Sequence, residues 1–202
     1  MTRTSLLVIP ALLCLAVSSA AAGGPLPIGA TIPMTDVAMK NVDGKDVTLK
    51  SVMQPAGILV VFTCNHCPFA KRWESRIVEL GNTYAAQGVG VVAINANDPK
   101  TYPDDSFEAM QARAKEKGMA FPYVVDATSD VARAFKATKT PEVFLFDKDG
   151  KLVYHGAVDD NGEEPAKVQR AYLKEALEAV VAGKEVVVKE TKSIGCGIKF
   201  RS

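Results

Sequence analysis

Cys64 and Cys67 stand two residues apart, where an apolar run gives way to a helical pattern, and that junction constrains the chain more than any other feature. Gly57 to Phe62 reads as a buried strand rich in β-branched residues. From Phe69 onward the apolar positions Trp73, Ile77, Leu80 and Tyr84 recur at helical spacing. Cys64-Asn65-His66-Cys67-Pro68 therefore opens a helix, where unpaired N–H groups and the positive end of the helix dipole stabilise a thiolate.

A thiolate is the species that attacks disulfides, so this placement points to a dithiol redox centre. Cys64 is the expected nucleophile, and Cys67, one turn into the helix, the more buried cysteine that resolves a mixed disulfide. His66 has two readings: a protonated imidazole that lowers the Cys64 pKa and makes the couple more oxidising, or a solvated bystander. Two plainer roles for the motif compete with redox chemistry. A structural zinc site wants four ligands, and elsewhere the chain offers only Cys196 and His155, so no metal is expected. A purely structural bridge across so short a loop gains little chain entropy.

The first 22 residues carry one charge, Arg3, then an apolar stretch from Leu6 to Val17 and the small residues Ser18 to Ala22, the pattern of a cleaved secretory signal. Cys14 lies inside that stretch behind Leu12 and Leu13, which argues against lipid attachment. With 1–22 removed, three cysteines remain, an odd count that leaves one thiol to explain. The formal charge falls from +1 to zero with Arg3, so no nucleic-acid or membrane-surface partner is implied. Roughly 180 residues then suffice for one domain with a sizeable core, placed over 23–185 with a tail over 186–202.

Along that domain, Asp43-Gly44 sits between two short apolar-alternating runs and predicts an N-terminal hairpin. Strands over 57–62, 89–95 and 121–125 alternate with helices over about 67–86 and 105–117, which predicts parallel strands with crossover helices. A short helix near 129–135 follows, then two strands around Asp147-Lys148-Asp149-Gly150 that form an antiparallel hairpin. Pro165 marks the start of a last helix with Val168, Leu173, Ala176, Leu177 and Val180 on its apolar face, ending near Gly183. Val186 to Val188 and Ser193 to Ile198 show no clear period.

A strand, CxxC and long helix, further βα units, then Thr140-Pro141 ahead of a β-hairpin and a last helix, together resemble the thioredoxin-like superfamily. The fold implied is α/β, a central mixed sheet flanked by helices with an N-terminal β-hairpin extension. The hairpin and the long stretch between Cys67 and Pro141 resemble the peroxiredoxin-related (AhpC/TSA) and TlpA/ResA-like branch of exported thiol:disulfide oxidoreductases. Phe62-Thr63 with the CxxC, Asn95-Ala96-Asn97-Asp98, Thr140-Pro141 with Phe144-Leu145-Phe146-Asp147, and Ser193-Ile194-Gly195-Cys196 are similar to one subgroup of it.

The resemblance implies a cis peptide at Thr140-Pro141 whose backbone faces the cysteines, and places Thr140 and Asn65 against substrate. It also implies protein or small thiol and disulfide substrates, a membrane electron donor, no cofactor, and a periplasmic or secreted location. The chain departs from it in places. The buried Asp expected in the strand before the motif is missing, since Val61 is apolar; Asp98 or Asp126 could replace it, or serve as solvated or capping residues. Peroxiredoxins need Pro and Thr seven and three residues before the reactive cysteine, where Cys64 has Gly57 and Val61, and Cys67 has Val60 and Cys64. Lys139 stands where the subgroup has a cysteine, leaving Cys196 as a buried thiol, an intermolecular bridge, or a third redox cysteine reaching Cys64. The branch points to a reductant and His66 to an oxidant, with the balance tilted to reduction. Competing classes are a copper-binding assembly protein, using Cys64, Cys67 and His155 as soft ligands, and a binding module with an idle CxxC.

Overall fold

The computed structural model describes residues 24–201, so the signal-peptide expectation for 1–22, Cys14 included, lies outside the described residues. Gly57–Phe62 forms β3 and Val89–Asn95 forms β4, both buried along their whole length, as their continuous apolar runs require. Hydrogen bonds from Ala56 N–H to Gly88 C=O and from Thr63 N–H to Ile94 C=O bracket the two strands and lay them side by side in parallel. Beyond β4, β5 (Tyr123–Val125) pairs in parallel, then β1 (Met39–Asn41) and β2 (Asp46–Val47) in antiparallel sense. On the other side β3 pairs antiparallel with β7 (Glu142–Asp147), and β7 with β8 (Leu152–Gly156). The expected N-terminal hairpin thus closes one edge of a mixed sheet. Its turn is built by Gly44, at φ 87°, and by the Asp43 carboxylate accepting Lys45 N–H.

Alternation along β3 sends Leu59 and Val61 to one face and Ile58, Val60 and Phe62 to the other. Trp73, Ile77 and Val78 of α2 (Pro68–Ala85), Met110 of α3 (Phe107–Lys117) and Leu173 and Leu177 of α5 (Tyr172–Val181) cover the first face. Leu49 of α1 (Leu49–Val52) and Val131 of α4 (Asp130–Ala134), with Phe135 just after it, cover the second. There Phe62, Phe135 and Phe144 meet edge to face at centroid distances of 5.3–5.7 Å. With helices on both faces, the carboxyl end of β3 opens into the loop that carries the cysteines.

Three boundaries differ from the sequence expectation. α3 starts at Phe107 because Ser106 caps it, its hydroxyl accepting Ala109 N–H, and Pro103–Asp105 forms a separate 3-10 turn. β5 starts only at Tyr123, after Pro122, which has no N–H to give a ladder. The last α-helix starts at Tyr172 rather than near Pro165, and Val168 is not on it. The Asp160 carboxylate takes the N–H groups of Gln169 and Arg170, so the chain after the short 3-10 turn at Pro165–Lys167 stays looped. Residues 186–201 run back over the domain: Thr191 N–H bonds to His155 C=O, and Cys196–Gly197 forms a strand, β9, beside β6 (Lys139–Thr140).

Candidate active site

Cys67 is the N-cap of α2 and Pro68 its first residue, so the helix dipole begins at the Cys67 side chain. Cys64 lies on the loop between β3 and the helix. Cys64 is 3% exposed and Cys67 0%, while Cys196 is half-buried, and all three are free thiols. Opposite them the Thr140-Pro141 peptide is cis. Cys64 Sγ lies 3.2 Å from Thr140 Oγ1, and the Cys67 thiol points at Thr140 C=O at 3.3 Å.

The two neighbouring thiols act on each other's ionisation so that negative charge is favoured on Cys67. Its pKa is held down by the Cys64 thiol first, against the cost of burial, and also by the Cys196 thiol and the N–H groups of Ala70 and Cys196. Cys64 is pushed up by the neighbouring Cys67 thiol, by burial, and by the charge of Asp105. The lever expected from His66 is therefore offset on the spot. His66 Nδ1 lies 2.5 Å from Asp105 Oδ2, and its ring stacks on Tyr102 at 4.1 Å.

Asp105, 1% exposed, is the residue the sequence reading missed. Its Oδ1 accepts the backbone N–H of Asn65 at 2.6 Å and the Asn95 amide at 3.2 Å, and its Oδ2 accepts the Asn97 amide at 2.8 Å. The missing acid of the preceding strand is thus replaced neither by Asp98 nor by Asp126. Asp98 accepts Lys100 N–H in its turn, and Asp126 accepts Ala132 N–H at the start of α4. The signal for Asp105 was Tyr102-Pro103-Asp104-Asp105-Ser106, legible as a helix start, with nothing local to show that one carboxylate turns inward. Asn65, expected against substrate, is turned inward too. Its amide donates to Asp104 C=O and its oxygen accepts the Tyr123 hydroxyl at 3.0 Å, so it positions the loop.

His155 is not brought to the cysteines. Its Nε2 meets Glu142 Oε1 at 2.7 Å and its ring stacks on Phe144, so the copper ligand set Cys64, Cys67 and His155 does not assemble. Glu142 also accepts the N–H groups of Thr138 and Lys139, which fixes the approach to the cis peptide. Among the described residues, Cys64, His66 and Asp105 are the group whose ligand atoms lie within 4.8 Å of one another. The Asp105 oxygens there already serve four internal donor groups besides.

The family model described as AhpC/TSA family matches residues 28–155. The chain is similar to the thiol-disulfide oxidoreductase ResA of Halalkalibacterium halodurans, 25% identical over 57% of this chain and 61% of that protein, so it spans less than two thirds of that relative's length. An uncharacterized conserved protein of Geobacillus kaustophilus superposes with a TM-score of 0.81 at 42% identity, covering 87% of this chain and 93% of that one. A thioredoxin-like protein solved in its oxidized form superposes with a TM-score of 0.61 at 22% identity, covering 77% and 98%, and shows the fold alone. With a thioredoxin-like fold and a family match across most of the central sheet, this chain belongs to the AhpC/TSA family.

Proposed function

We propose that the protein is an exported thiol:disulfide oxidoreductase that works through Cys64 and Cys67 and runs in the reducing direction. The observation that carries this reading is the pair of thiols at the start of α2 facing the backbone and hydroxyl of Thr140. Cys64, the more exposed of the pair, attacks one sulfur of a substrate disulfide, and the other sulfur leaves as a thiolate. Cys67 is placed to take the Cys64 proton and give it to the departing substrate thiolate, and as a thiolate again it attacks Cys64 Sγ. The Cys64–Cys67 bond forms, the second substrate sulfur leaves, and the substrate is reduced by two electrons. The Thr140 hydroxyl, 3.2 Å from Cys64 Sγ beside cis Pro141, steadies the reacting sulfur.

Asp105 supports the reducing direction. A cationic imidazole alone would stabilise the thiolate and make the couple oxidising, whereas the Asp105 carboxylate beside His66 opposes charge on Cys64 and favours the reductant. The absence of the peroxiredoxin Pro and Thr before either cysteine argues against peroxidase chemistry. Substrates are protein or small-molecule disulfides in the periplasm or outside the cell, after cleavage at the pattern in 1–22, and a membrane dithiol donor restores the pair.

The test is equilibration of the chain lacking 1–22 in glutathione or dithiothreitol buffers, with the bridge located by differential alkylation and mass spectrometry. A Cys64–Cys67 couple near roughly −270 mV is expected, and a value near roughly −120 mV would make the protein an oxidant instead. Failure of Cys64 and Cys67 to bridge at any poise sinks the reading altogether.

A further inference from the structure

Cys67 has a second sulfur neighbour. Cys196 packs against the small cluster formed by Cys64, Cys67 and Ala70, and the Cys67 and Cys196 thiols shift each other's ionisation. The contact is held from several directions. β9 pairs antiparallel with β6, Cys196 opposite Thr140 and Gly197 opposite Lys139, and Ile198 N–H bonds to Thr138 C=O at 2.9 Å. Farther along, Lys199 N–H bonds to the Asn97 side chain and Arg201 N–H to Ser129 Oγ, while Ile198 is buried in the core of the second face. Before Cys196, Gly195 passes so close to Thr140 that a Cβ would lie 2.3 Å from its carbonyl oxygen. Any larger residue there lifts the strand.

The chain's own tail therefore occupies the backbone edge just before cis Pro141, as an extended substrate would, and it brings a cysteine with it. Of the three sulfurs, Cys196 is the one on a residue open to solvent.

We propose that Cys196 is a third redox cysteine that takes Cys67 over from Cys64 by intramolecular exchange, an inference that rests on the dithiol chemistry proposed above. With Cys64 and Cys67 bridged, the Cys196 thiolate attacks Cys67 Sγ. The Cys67–Cys196 bond forms, the Cys64–Cys67 bond breaks, and Cys64 leaves as a thiolate that takes up the proton Cys196 gave up. No electrons enter or leave; the disulfide moves from a buried pair to one whose outer cysteine is half-buried. An external dithiol then attacks Cys196 Sγ and expels Cys67, whose thiolate the start of α2 stabilises as a leaving group; the donor's second thiol attacks the donor sulfur of that mixed disulfide, expels Cys196 and leaves the donor as its disulfide. The substrate is met at Cys64 and the reductant at Cys196.

The experiment uses the chain lacking 1–22 and its variants Cys64→Ser, Cys196→Ser and Gly195→Val, each equilibrated with oxidised glutathione, acid-quenched, alkylated and mapped by mass spectrometry. Cys64→Ser is expected to close an intramolecular Cys67–Cys196 bridge. Cys196→Ser is expected to close Cys64–Cys67 only, and the unsubstituted protein to divide between molecules with one bridge and molecules with the other. In Gly195→Val, which keeps every cysteine but lifts β9, the Cys67–Cys196 fraction should fall by about tenfold or more, because local delivery is lost. If Cys64→Ser yields only glutathione adducts or linked dimers while Cys196→Ser bridges Cys64 and Cys67, the relay is wrong and the two-cysteine function stands. If Gly195→Val keeps the Cys67–Cys196 fraction unchanged, seating of β9 does not deliver Cys196 and the relay fails. If Cys196→Ser forms no bridge, the two-cysteine function fails with it.

Discussion

Asp105 carries the chemistry of this site further than its place in the sequence suggests. It is a carboxylate without exposed side-chain surface, held by the Asn65 and His66 N–H groups, two asparagine amides and an imidazole, and its charge raises the Cys64 pKa. Asp105→Asn keeps the shape and removes the charge. Its couple should become more oxidising, and each tenfold change in the exchange equilibrium corresponds to about 30 mV. A redox titration against glutathione reads the shift, and an unchanged or lower potential would show that Asp105 does not act on Cys64. Asp105→Ala leaves the buried Asn65 N–H without its acceptor and the Asn95 and Asn97 amides with only longer contacts to Tyr123 and His66, and should cost about 2–3 kcal/mol in a urea melt. The CxxC and its place at a helix start were legible from local pattern. The inward turn of Asn65 and Asp105 was not, because the bond that joins them spans 40 residues of chain.

At the level of elements, the cis peptide is presented by β6 and β7, and Glu142 joins them. Burial raises the Glu142 pKa, but the His155 hydrogen bond and the N–H groups of Thr138 and Lys139 outweigh it and leave the carboxyl below its ordinary value. A depressed folded-state pKa means that the contribution to stability is present above the ordinary carboxylate pKa and is lost as pH falls through the lower folded value. Wild type and Glu142→Gln should therefore differ most at neutral pH and converge in acid, as followed by urea melts from pH 7 down to about 3. A gap independent of pH would mean that the Glu142 charge plays no part. Glu142→Ala should cost about 2 kcal/mol at pH 7, since two backbone N–H groups lose their acceptor. Element order was readable beforehand, because periods of 2 and 3.6 are local properties. The start of α5 was not, because Asp160 decides it by capping Gln169 and Arg170 across the loop.

For the molecule as a whole, the sheet is covered on both faces and the tail closes the end that carries the cysteines. Val186 sits in the core of the first face and Ile198 in that of the second, so residues 186–201 bridge the two layers. Ending the chain after Glu185 removes both side chains, each worth about 1.5–3 kcal/mol when fully buried. The melting temperature should fall by several degrees. The same truncation uncovers Thr140 and Cys67, so Cys67 should react faster with iodoacetamide under native conditions; unchanged reactivity would show that β9 does not shield it. The amino-acid sequence by itself determined the strand–CxxC–helix junction, the alternation that builds a two-faced mixed sheet, and the Asp43-Gly44 hairpin, all written in residues close together along the chain. Only the tertiary structure decided that His66 answers to Asp105, that His155 turns to Glu142 rather than the cysteines, and that Cys196 reaches Cys67. Those contacts join residues without a shared period, and closure of the fold brings them together.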